Sequence, residues 1–229
     1  MENFSKTPQR IAKIIARSGY CSRRDAEKLI AEGRVAIDGK VIESAALNVL
    51  DEKIYIDGKL IKPLKNTKLF LYHKPVGLIT TNKDEKGRRT IFDDLPNWLP
   101  RVITVGRLDL NSEGLLLLTN DGELARELEL PANEFERIYK VRVFGKLPDF
   151  GILRGGIEID GVRYGKIEIE IEKQGKNSWL IVKLREGKNR EIRRVMAHLG
   201  LEVNRLIRLS YGEYELGELK VGEVREVQL

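Results

Sequence analysis

Arg107 and Asp109 stand on either side of Leu108, a few residues before an unbroken apolar run, Leu115 to Leu118. A guanidinium and a carboxylate beside a segment that must be buried are costly to hold there unless they are paired or used. A single ionised carboxylate can attack a substrate covalently or remove a proton. Other chemistries are short of material. The 229 residues include two histidines, His73 and His198, and one cysteine, Cys21. An internal disulfide and a cysteine-based metal site are excluded, and a histidine triad or zinc site is poorly supplied. Glu113 and Asp121 read as capping and turn residues rather than a second catalytic acid, and no phosphate-cradling glycine loop is present.

Many short strands with a few short helices must position these groups. Leu69–Tyr72 reads as a strand ending in a turn at 73–77, and Val102–Val105 as a strand leading into the Arg107–Asp109 segment. Asn120-Asp121-Gly122 punctuates the chain before a helix over 123–128. Tyr139–Phe144, Ile167–Glu172 and Trp179–Leu184 alternate as half-buried strands. The segment Gly187-Lys188-Asn189-Arg190-Glu191-Ile192-Arg193-Arg194 reads as a basic loop opening a helix, with Gly200 beyond its end. The pattern predicts an α+β fold on a largely antiparallel mixed sheet with flanking helices.

The first sixty residues follow another logic. Thr7-Pro8 predicts a helix start, with Ile11, Ile14 and Ile15 inward and Gly19 as its stop. Ser22 followed by Asp25 has the form of a capping box for a second helix, with Ala26, Leu29 and Ile30 inward and Gly33 closing it. Two apolar pairs then surround Asp38-Gly39 and Asp57-Gly58, the signature of tight hairpins. Residues 10–40 hold eight Lys and Arg against four Asp and Glu, and a cluster of this kind suits RNA phosphates. Ser22-Arg23-Arg24-Asp25-Ala26, Leu29, Ile30, Gly33-Arg34-Val35 and Asp38-Gly39 resemble the small RNA-binding domain shared with ribosomal protein S-four. On that resemblance residues 1–62 form the RNA-binding domain, with Arg10, Arg17, Ser22, Arg23, Arg24, Lys28 and Arg34 as its RNA-docking set. Lys62 to Thr67 carries the linker, placed at 63–67, and 68–229 form a catalytic domain.

Charge supports an anionic partner only in outline: the net is +6, with 33% charged and 41% hydrophobic residues. No apolar run is long enough to span a membrane. The first six residues carry no apolar signal segment, so a cytoplasmic protein without membrane association is expected.

Lys74-Pro75-Val76-Gly77, the segment from Gly106 to Gly122, Tyr139-Lys140-Val141 and Gly187 to Arg194 stand in the order found in pseudouridine synthases, and resemble the RsuA-type branch. The resemblance covers nearly all of 68–229, and it implies isomerisation of uridine in RNA without cofactor or metal. It assigns catalysis to Asp109, filling of the gap left by the flipped base to Arg107, stacking on uracil to Tyr139, and pairing with the aspartate to Arg193. Lys188, Arg190 and Arg194 compete with Arg193 for that pairing. Lys74, Lys188, Asn189, Arg190 and Arg194 are expected to bind substrate with Arg107. The partner is expected to be ribosomal RNA or a pre-ribosomal particle. Residues 187–194 look more like large-subunit members, and a monomer is the default. A non-catalytic RNA-binding or ribosome-assembly protein that kept the fold is the alternative.

Overall fold

A computed structural model describes residues 7–50, 52–62, 66–82 and 84–229. Contacts divide the chain into one unit of Met1–Thr67 with Leu99–Val102 and Asn120–Gly122, and a second holding the remainder. Residues 63–65 of the expected linker lie outside the described residues.

In the first unit, β1 (Gln9–Arg10) runs into α1 (Ile11–Arg17). Then come α2 (Arg23–Ala31), β2 (Val35–Ile37), β3 (Lys40–Val41), β4 (Asn48–Val49), β5 (Ile54–Ile56) and β6 (Lys59–Leu60). The Thr7-Pro8 helix start is not observed. Gln9 and Arg10 instead pair with Val49 and Asn48, and the helix begins only after them. Extended pairing thus overrides a local start signal. Ser22 does cap α2: its hydroxyl accepts the Asp25 N–H at 3.1 Å and donates to the Asp25 carboxylate at 2.6 Å. Asp38-Gly39 and Asp57-Gly58 have φ of 47° and 85°, and 50° and 74°. Both central residues of each turn are therefore left-handed, as a two-residue hairpin of matched twist requires. Ile11, Ile15, Ala26, Ile30, Val35, Ile54 and Ile56 form the core, with Cys21 packed at its edge.

The second unit contains β7 (Leu69–Lys74), β8 (Ile103–Val105), β9 (Glu113–Thr119), α3 (Gly122–Glu129, whose first residue groups with the first unit) and β10 (Arg137–Phe144). It continues through β11 (Ile157–Ile159), β12 (Val162–Tyr164), β13 (Ile167–Lys173), β14 (Asn177–Leu184), α4 (Glu191–His198), β15 (Glu202–Tyr211), β16 (Tyr214–Glu215) and β17 (Val224–Val227). The main sheet runs β13-β14-β10-β15-β9-β7-β17, with β16 on β15 and β8 on β9. Among the described strands of this sheet, β9 and β15 pair in parallel and the other pairs are antiparallel, so the sheet is mixed and largely antiparallel. All seven residues of β9 are buried. A central strand covered on both faces needs apolar groups at every position, which explains a continuous leucine run rather than an alternating one. Leu115 and Leu117 join Leu69, Leu71, Val105 and Leu128 in one core cluster.

Gly114 permits the parallel join. It has φ of +103°, and a Cβ there would lie 2.3 Å from the Arg208 carbonyl oxygen and 2.6 Å from its nitrogen. Only glycine allows that backbone conformation together with that approach.

Candidate active site

Asp109 sits in the connection from β8 to β9, where several groups fix the backbone. The Lys74 ammonium, at the end of β7 and fully buried, donates to the carbonyls of Pro75 (2.9 Å), Asp109 (3.2 Å) and Ser112 (2.9 Å). Thr80 donates its hydroxyl to the Leu108 carbonyl at 2.8 Å, and the Gly77 N–H donates to Leu110 O at 2.8 Å. Ser112 N–H closes a turn on Asp109 O at 3.0 Å. Lys74, expected to bind substrate, braces the turn from beneath and is not among the residues that line the cavity. Burial pushes its ammonium down to about 8, partly opposed by Asp109 and Glu113.

The Asp109 side chain is 31% exposed and faces a cavity of about 870 Å³. Arg107, Tyr139, Lys188, Asn189, Arg190 and Arg193 line the same cavity. Arg107 is exposed and makes no ion pair among the described residues. Tyr139 is 8% exposed, at a register irregularity between β10 and β15 that sets it opposite Arg208. Bulges commonly re-aim side chains beside sites in this way.

The pairing of Asp109 differs from the expected one. Its Oδ2 lies 3.5 Å from Arg190 Nη1, not against Arg193. Arg193 donates Nη2 to Asn111 O at 2.7 Å and Nη1 to Val203 O at 3.1 Å, while its Nε is buried without a partner. Desolvation, with the neighbouring Arg190 charge, lowers the Arg193 pKa, and Asp109 opposes the shift. Arg193 thus faces Asp109 through space and ties down the next turn of chain. Arg190 reaches the carboxylate because it precedes α4 in a left-handed conformation, φ 52° and ψ 30°.

Lys188 turns to the Glu186 carboxylate and lies 5.8 Å from the Tyr164 ring centre. Arg194 is exposed on α4 and does not line the cavity. Arg208, Arg137 and Glu191 are among the cavity residues not singled out in the sequence. Arg208, 2% exposed, donates Nε to Leu115 O at 2.7 Å and lies over Tyr211 at 5.2 Å. Arg137 donates to the Tyr211 hydroxyl at 2.8 Å. Glu191 is 4% exposed. For Arg208 a signal existed: it holds an inward position of a strand between Leu206 and Ser210.

In the first unit Arg10, Arg23, Arg24 and Lys28 are exposed. The other expected docking residues are committed elsewhere. Arg34 is bound by Asp57 at 2.7 and 2.8 Å and by Glu32 at 3.0 Å, Arg17 by Asp121 at 2.9 Å, and the Ser22 hydroxyl by its cap. His73 donates from Nδ1 to the Leu219 carbonyl at 2.7 Å.

Comparison with known proteins identifies the family. Residues 68–198 match the RNA pseudouridylate synthase family, and residues 9–52 match the S4 domain. A relative from Rickettsia felis, named an uncharacterized RNA pseudouridine synthase, is 53% identical over 224 residues, 96% of each chain. The ribosomal large subunit pseudouridine synthase B of Buchnera aphidicola is 43% identical over 220 residues, 91% of this chain and 88% of that one. A crystal structure of a pseudouridylate synthase, 26% identical, superposes with a TM-score of 0.69 over 96% of each chain. With the family match spanning more than half of the chain and such relatives covering nearly all of it, the chain belongs to the RNA pseudouridylate synthase family and is an RNA pseudouridine synthase that carries an S4 RNA-binding domain.

Proposed function

We propose that this enzyme converts a uridine of large-subunit ribosomal RNA to pseudouridine, with Asp109 as the catalytic carboxylate. The observation that carries the reading is the Asp109 carboxylate, lining the cavity on a turn braced by Lys74 and faced by Arg190, with Tyr139 lining the same cavity. The relative named for the large ribosomal subunit supports the substrate class.

The reaction breaks the bond from C1′ to N1, turns the uracil, and joins C1′ to C5. The C5 hydrogen leaves as a proton and N1 gains one, so nothing is oxidised or hydrolysed. The target must first leave its stack, which costs a few kcal/mol that binding must supply. Arg107, unpaired and planar, fills the place the base vacates. Tyr139 offers a flat face to the uracil and a hydroxyl for the proton at C5. Asp109 then attacks C1′ or removes a ribose proton, two routes that share the same residue. Arg190 sets a positive charge 3.5 Å from the carboxylate, and Arg193 fixes the loop beside it.

The exposed Arg10, Arg23, Arg24 and Lys28 dock a neighbouring RNA element through its phosphates. The test is to treat ribosomal RNA lacking the modification with wild type and with Asp109→Asn, then map pseudouridine. A new large-subunit site made only by wild type supports the reading. A site confined to small-subunit RNA overturns the substrate class.

A further inference from the structure

Two neighbouring carboxyl groups of the cavity lining, Glu186 and Glu191, are not used by the reaction. Glu191 opens α4 and is nearly fully buried, and its Oε2 accepts the Lys188 N–H at 2.9 Å. Its Oε1 is sealed from solvent without a donor. The Glu186 carboxyl lies close enough for one acid to donate to the other. Glu186 in turn accepts from the Gly165 N–H and from the Lys188 ammonium. Glu186 is partly exposed and paired with Lys188, whereas Glu191 is buried beside it, so a charge on both is disfavoured and Oε1 of Glu191 is the oxygen left to carry a proton.

Burial, reinforced by the Glu186 charge, raises the Glu191 carboxyl to about 7. Glu186, although desolvation works upward on it, is held below the ordinary value by the Lys188 ammonium and the Gly165 N–H. The proton therefore belongs on Glu191. The other charged or titratable groups around the pair are Arg137 of β10 beside Gly187, Tyr164 of β12 beneath Lys188, and Arg190 and Arg193 at α4. Between the two carboxyls runs the turn 187–190, which ends at left-handed Arg190, 3.5 Å from Asp109.

We propose that Glu191 is a positioning residue: protonated and donating to Glu186, it closes the turn that presents Arg190 to Asp109, and a second negative charge there opens the turn and slows the reaction. This rests on the proposed role of Asp109. The experiment follows kcat/KM from about pH 5.5 to about pH 9.5 for wild type, Glu191→Gln, Glu191→Ala and Asp109→Asn. It is joined by a carbon-13 titration of glutamate-labelled wild type and Glu191→Gln.

Wild type should lose rate above a midpoint near 7. Glu191→Gln, which donates but cannot ionise, should stay within about 3-fold of wild type at pH 6 and lack that limb. Glu191→Ala should fall about 10-fold or more throughout, as a misaimed Arg190 requires. The carboxyl titrating near 7 should vanish in Glu191→Gln. The same alkaline limb in Glu191→Gln, or no carboxyl titrating near 7 in wild type, would overturn the proposal. An active Asp109→Asn would instead overturn the role of Asp109, with the carboxyl titration still deciding whether the pair shares a proton.

Discussion

Lys74→Met removes the ammonium that braces the Asp109 turn while keeping a side chain of similar length, so the change leaves little cavity. Three carbonyls lose their donor, that of Ser112 in a buried contact and those of Pro75 and Asp109 in part-buried ones. Each buried acceptor left unpaired costs about 1–3 kcal/mol. Against this stands relief from burying a charge. The fall of that ammonium to about 8 from 10.5 corresponds to roughly 3 kcal/mol of burial cost. The unpaired carbonyls outweigh the relief, and a net loss of about 2–4 kcal/mol follows.

The sign of the pH dependence is equally definite. Between about pH 8 and pH 10.5 the unfolded chain binds more protons at this lysine than the folded one. The contribution of Lys74 to stability therefore rises with pH through that window, and Lys74→Met lacks the rise. Urea unfolding of both proteins at several pH values reads the difference directly. A shift of the catalytic turn by an ångström should also cut kcat by about 100-fold. Stability within about 0.5 kcal/mol of wild type, with unchanged kcat, would refute the bracing argument.

Gly114→Ala should force β9 and β15 apart, because the added Cβ meets the Arg208 backbone at 2.3 Å; thermal melting should show a loss of about 3 kcal/mol or more, or no soluble protein. Tyr139→Phe keeps the stacking face and loses the hydroxyl, so steady-state kinetics should show kcat down about 100-fold with KM little changed. Arg23→Glu combined with Arg24→Glu should weaken RNA binding and reduce the salt slope of log K by about 1–2, read from titrations at several salt concentrations. An unchanged slope would remove those arginines from the docking face.

The features legible in the sequence are those set by short-range demands. Asp38-Gly39 and Asp57-Gly58 announce hairpins because few other pairs tolerate two left-handed residues, and the run at 115–118 announces a doubly covered strand. The misreadings arise where distant chain decides the outcome. Thr7-Pro8 has the form of a helix start, yet a strand forty residues away captures Gln9 and Arg10. Lys74 reads as a substrate-binding residue, and its bracing contacts are not legible because two of the three carbonyls it meets belong to residues 109 and 112. The pairing of Arg34 with Asp57, 23 residues on, is likewise not legible locally. Arg190 rather than Arg193 reaches Asp109 because of one left-handed residue before α4, and no local pattern signals an arginine in that conformation.

The central claim, that Asp109 carries the isomerisation, is tested most directly by tritium release. RNA bearing uridine labelled with tritium at C5 loses the label to water only when C5 joins the sugar. Asp109→Asn should bind this RNA within about 3-fold of wild type and release tritium at least about 10⁴-fold more slowly. Release by Asp109→Asn at more than about a tenth of the wild-type rate would contradict the account.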